Sequence, residues 1–150
     1  MTLSDFLDHD TVAGLLVEAG GWWMRDPRMG PGRVGSSWPR ETVDLFADLW
    51  GRSDPAESAD APRPLPLTRE QIAQRDVRSD WLVLIADEET RRIVAVVSHV
   101  RALGVAHGRE RIDWKRVMRL LRVRRDKARI ERLYAKGIEA ICRALNARAA

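Results

Sequence analysis

Between Lys115 and Lys136 the chain carries ten lysines and arginines against two acidic residues, Asp126 and Glu131. Lysine and arginine side chains are hydrogen-bond donors without acceptor atoms, and they stay charged at neutral pH. The chemistry open to such a cluster is contact with a polyanion. Phosphate contacts position a protein on nucleic acid, while contacts to base edges choose sequence. The spacing divides the cluster. Lys127, Arg129 and Arg132 fall in the first turns of one helix and are the candidate base contacts. Lys115, Arg116, Arg119, Arg122, Arg124, Arg125 and Lys136 lie in the preceding helix, the connection and a flanking position, and are the candidate phosphate contacts.

Two helices must position these side chains. In the second, Ile130, Leu133, Tyr134, Ile138, Ile141 and Leu145 recur at intervals of three and four, which places them on one helical face. Asp126 stands just before that pattern as a candidate N-cap. In the first, Asp113 is a candidate cap, and Trp114, Val117, Met118, Leu120 and Leu121 are apolar. Only Arg122–Arg125 separates the two, a connection short enough for a helix-turn-helix spanning about 112–146. In such a unit the opening turn of the second helix reaches base edges in the major groove.

Upstream, the pattern predicts further helices. Asp10 is a candidate cap for a stripe of Val12, Leu15, Leu16, Ala19, Trp22 and Trp23, weakened by Gly20 and Gly21 and ended by Pro27. Pro39 suits the start of a helix carrying Val43, Leu45, Phe46, Leu49 and Trp50. Thr68 and Gln71 form a capping-box pattern for a helix running to about Ala86. Asp87, Glu88 and Glu89 open another, about Glu88–Leu103, closed by Gly104. Its β-branched run Ile93–Val97 also suits a strand, but the pattern continues through Val100 and Leu103 and no partner strand is apparent. The expected organisation is an acidic helical region over residues 1–52, a Pro-rich linker or loop over 53–67, and a helical region over 68–150 that binds DNA. The expected fold is all-α, with five or six helices.

Charge is distributed unevenly along the 150 residues. Residues 109–150 hold 14 lysines and arginines against 5 acidic residues, a net of +9, whereas residues 1–67 hold 6 against 11, a net of −5. This asymmetry favours an anionic partner. The single cysteine, Cys142, excludes an internal disulfide and fits a reducing compartment. No signal-peptide pattern opens the chain, and the apolar runs Trp81–Ala86 and Ile93–Val97 are too short to span a bilayer. A cytoplasmic location is expected.

Other chemistry is poorly supported. Gly30, Gly32 and Gly35 satisfy G-x-G-x-x-G, but a helix rather than a strand precedes them and Pro31 stiffens the loop, so they read as a connector. His9, His99 and His107 are scattered without carboxylates or thiols at metal-ligand spacing. Ser98 and His99 are helical neighbours pointing in different directions, which does not make a nucleophile–base pair. Five of the six tryptophans lie outside the basic region, and Trp114 reads as a packing residue. No catalytic residue, metal or cofactor is expected.

Ser37-Trp38-Pro39 after a glycine-rich loop, Trp81-Leu82 before an acidic helix start, Arg101 to Gly104 leading toward Trp114, and the terminal Ile138–Asn146 stretch resemble a domain family of phages and proteobacterial prophages. That family has no established activity, and its C-terminus is similar to the region-four helix-turn-helix of sigma factors. The resemblance spans roughly residues 10–146. It implies double-stranded DNA binding, as a transcriptional regulator or as a terminase-small-subunit-like recognition subunit of a packaging machine. Two positions depart from the usual pattern: Arg122 stands where the turn often has glycine, and Asp126 where serine often opens the recognition helix. The alternative reading is a non-enzymatic interaction module that uses its acidic and basic halves. The expected partner is duplex DNA, with homo-oligomerisation left open and neither a membrane nor a small-molecule substrate expected.

Overall fold

The computed structural model describes residues 7–25 and 66–149. Within them lie five helices: α1 (His9–Arg25), α2 (Arg69–Asp80), α3 (Glu88–Ala106), α4 (Trp114–Leu120) and α5 (Lys127–Ala149). A 3-10 turn, Trp81–Leu84, joins α2 to α3, and no strand occurs among the described residues. The helix expected after Pro39, the Gly30–Gly35 connector and most of the Pro-rich stretch lie outside the described residues.

The helix α3 is the centre of the fold. All eight residues from Ile93 to Val100 are buried, His99 included. A helix enclosed on every side has no polar stripe, which is why its β-branched run carries no helical period. Burial pushes the His99 imidazole down to about 3, so it sits in the core as a neutral ring. Around α3 pack α1, α4 and α5, while α2 packs on α1. From α1 come Val12, Leu16, Ala19 and Trp23; from α5 come Ile130, Tyr134, Ile138 and Ile141.

Close approach of α5 to α3 requires Gly137. A Cβ there would stand 2.5 Å from Val94 Cγ2 and 2.9 Å from Thr90 Cγ2. Both neighbours are β-branched and stiff at χ1, so they cannot swing aside. Polar stitches tie the layers together. The Asn146 side chain donates to the Leu7 carbonyl and accepts from the Leu7 amide, each at 3.0 Å. The Trp23 indole donates to Ser79 Oγ at 2.8 Å, with the buried Arg75 guanidinium 4.0 Å over the Trp23 ring.

Several boundaries differ from expectation. The cap of α1 is Asp8, which accepts from the Thr11 amide at 2.7 Å, in place of Asp10, which lies inside the helix. The capping box of Thr68 and Gln71 forms, with hydrogen bonds of 3.0 and 3.1 Å. However, α2 stops at Asp80 rather than near Ala86, and the chain tightens into the 3-10 turn. Arg91 holds that turn by donating to the carbonyls of Leu82 and Ile85. Asp87 caps α3 by accepting from the Thr90 amide. The end of α3 lies beyond Gly104, at Ala106, where Gly108 takes a left-handed φ of 72°. The Arg109 amide then reaches the Gly104 carbonyl and the Gly108 amide reaches Val105, which completes a Schellman cap.

The same cap recurs at the end of α4 with a different residue. The Val123 amide donates to Met118 and the Arg122 amide to Arg119, with Arg122 at φ 57°. A side chain at this left-handed position costs about 1 kcal/mol that glycine avoids. Arg122→Gly should therefore raise the melting temperature by about 2–4 °C, the change produced by roughly 1 kcal/mol in a chain of this size. A thermal melt checks it; a lowered melting point would show that the Arg122 side chain stabilises the turn.

Candidate nucleic-acid interface

Asp113 opens α4 as expected, its carboxylate accepting from the Arg116 amide at 3.1 Å. The face carrying Val117 enters the core, and Trp114 meets Tyr134 of α5 edge-on at 6.3 Å between ring centroids. The Tyr134 hydroxyl in turn accepts from Arg101 of α3 at 3.1 Å. These contacts fix which side of α4 is left to solvent. Lys115 and Arg119 stand four residues apart and Met118 three from Lys115, so they lie along one stripe of α4, and Arg122 follows just past the helix end.

The connection between α4 and α5 is longer than Arg122–Arg125: it runs from Leu121 to Asp126. Asp126 does not take the extended backbone of an N-cap. Its φ is 70°, and it enters α5 through its carbonyl, which accepts from the Ile130 amide at 3.1 Å. Arg122, in its left-handed conformation, turns the chain so that the Val123 amide donates to the Met118 carbonyl at 2.9 Å, which holds the start of the turn beside α4; Asp126 turns the chain again into α5. An open concavity of about 640 Å³ results, lined by Lys115, Met118, Arg119, Arg122, Val123 and Arg124.

Four of the seven proposed phosphate contacts thus converge. Of the other three, Arg125 and Lys136 are exposed and Arg116 is half-buried, and none lines the concavity. Lys115, Arg119, Arg122, Arg124 and Arg125 are exposed and form no ion pair among the described residues.

The three proposed base contacts differ from one another. Arg132 is exposed on α5. Lys127 lies 3.5 Å from Glu131, one turn along the same helix. Arg129 is held by a two-pronged contact, its Nη1 and Nη2 donating to the two carboxylate oxygens of Glu89 at 2.8 and 2.9 Å. This pair holds the Glu89 carboxyl below and the Arg129 guanidinium above their ordinary ranges. Arg129 therefore reaches a base edge only by leaving Glu89. Forty residues separate the partners, and no local spacing signals their meeting. Met118 and Val123, also missed from sequence as site residues, are the apolar part of the concavity's lining.

No group of three or more His, Cys, Asp or Glu is placed to hold a metal among the described residues, and Cys142 is buried, which pushes its thiol up. No helix among them is long and apolar enough to cross a membrane. No family model matches the chain, and no curated protein or solved structure is detectably similar to it.

Proposed function

We propose that this protein binds double-stranded DNA, with α4, its turn and the start of α5 acting as a helix-turn-helix. The observation that carries the reading is the convergence of Lys115, Arg119, Arg122 and Arg124 on one open concavity without acidic partners. A solvated basic surface tends to scatter its charges or pair them, as Lys127 and Arg143 are paired within α5. Phosphates supply the missing counter-charge. The concavity and Arg125 hold the backbone, while Lys127 and Arg132 on the opening turns of α5 are the accessible base contacts. Arg129 joins them by exchanging Glu89 for a guanine edge, since both offer two acceptors to the arginine fork. The resemblance to the phage and prophage family supports a role as transcriptional regulator or packaging recognition subunit. The mass in solution separates these, because packaging subunits oligomerise.

The test is selection of bound sequences from a random duplex pool, followed by titration of the winner against the full chain. The full chain is the proper material, because α1 covers α3 and its removal would expose the core. Glu89→Gln should tighten binding severalfold by releasing Arg129, and the gain should vanish in the Glu89→Gln, Arg129→Ala double variant. A gain that persists without Arg129 would mean that Glu89 acts by simple repulsion of DNA. Failure of the chain to bind any duplex would end the functional reading.

A further inference from the structure

The lining of the concavity is of two kinds. Four cations share it with two apolar residues, Met118 and Val123, and Val123 stays 37% exposed. Phosphate oxygens alone have no use for an apolar surface. A ligand that alternates charge with apolar groups does, and the sugar-phosphate backbone of DNA is such a ligand. Its phosphates would meet the lysine and arginines, and the deoxyribose between them would cover Met118 and Val123.

We infer that Met118 and Val123 seat a deoxyribose between two phosphates held by the lining cations, so that the concavity selects a DNA backbone over an RNA backbone. This rests on the DNA-binding reading above. The selectivity follows from the 2′ position. Deoxyribose presents a methylene there, which buries favourably against valine and methionine. Ribose presents a hydroxyl, and the side chains lining the site are donors or apolar, with only the weak thioether acceptor of Met118 for its proton. Covering that hydroxyl leaves it under-bonded. The cations attract either polymer, so the 2′ discrimination rests on Met118 and Val123.

The chemistry of an acidic peptide with apolar side chains is also complementary to this surface. The backbone is favoured by the charge count: four cations around two apolar residues suit a polymer with a charge at every unit.

The experiment compares a DNA duplex with an RNA duplex of the same sequence, each titrated against the full chain at two salt concentrations. Two variants accompany it. Val123→Thr keeps the branched shape and replaces a methyl with a hydroxyl, and Arg124→Gln removes one lining charge. The unaltered chain should prefer DNA by about three- to sixfold, the scale of covering the exposed third of one valine side chain. Val123→Thr should weaken DNA binding about three- to tenfold at both salt concentrations. It should leave the salt slope unchanged and should not weaken RNA binding, because the threonine hydroxyl offers the 2′-hydroxyl a partner. Arg124→Gln should lower the salt slope by about 0.9 on either polymer. Equal affinity for DNA and RNA, or unaltered DNA binding by Val123→Thr, would overturn the inference while leaving duplex binding intact. Binding of a peptide of alternating glutamate and leucine, with no binding of either duplex, would overturn both the inference and the function it rests on.

Discussion

Ile138→Asp should leave the protein largely unfolded at room temperature. Ile138 is completely buried on α5, in the face that packs against α3. A carboxylate there has no partner and must either ionise in an apolar medium or remain protonated at a raised pKa. Either route costs several kcal/mol, comparable to the roughly 5–15 kcal/mol that holds a typical domain together. Ile138→Val is the matched control. It removes one methylene, costs about 0.5–1.5 kcal/mol and should keep the fold. Far-UV circular dichroism with a urea titration reads both. A wild-type transition for Ile138→Asp would show that this face is not covered in the monomer.

The second large effect should fall on binding and spare the fold. Lys115→Gln, Arg119→Gln and Arg124→Gln together remove three exposed charges from the concavity, and glutamine keeps most of the helix propensity at the two positions in α4. None of the three makes an ion pair among the described residues, so the melting temperature should change little. Duplex affinity near physiological salt should fall on the order of a hundredfold, since non-specific binding is shared among a handful of phosphate contacts. Three equivalent changes at the proposed base contacts, Lys127, Arg129 and Arg132, provide a comparison. They should cost less in salt-dependent affinity and more in sequence preference. The reverse pattern would move the phosphate-binding surface from α4 to α5.

The parts of this fold legible in the sequence are those governed by local rules. The face of α5 shows because one side is buried and the other wet, which leaves a period of three and four. Asp113 and the Thr68–Gln71 pair show because a cap is satisfied within three residues. The break at Asp80 does not show: Trp81, Leu82 and Ile85 continue an apolar pattern, and the turn there is held by Arg91 from the following helix. The cap expected at Asp10 lies two residues earlier, at Asp8, which accepts from the Thr11 amide; the local pattern is the same for either aspartate. At the candidate site, charge and clustering were visible, but pairing was not. The grip of Glu89 on Arg129 is a tertiary event, and the left-handed backbone of Arg122 and Asp126, which shapes the concavity, occurs at residues that usually avoid it.

The most direct test of the central claim is the salt dependence of duplex binding by the full chain. Five cations, Lys115, Arg119, Arg122, Arg124 and Arg125, stand without acidic partners on α4 and its turn. If each neutralises one phosphate, the logarithm of the association constant should fall against the logarithm of salt concentration with a slope of about −4.5. The Lys115→Gln, Arg119→Gln, Arg124→Gln variant should bring that slope to roughly −2. A flat response, or a slope that the three substitutions leave unchanged, would contradict the assignment of this surface to DNA.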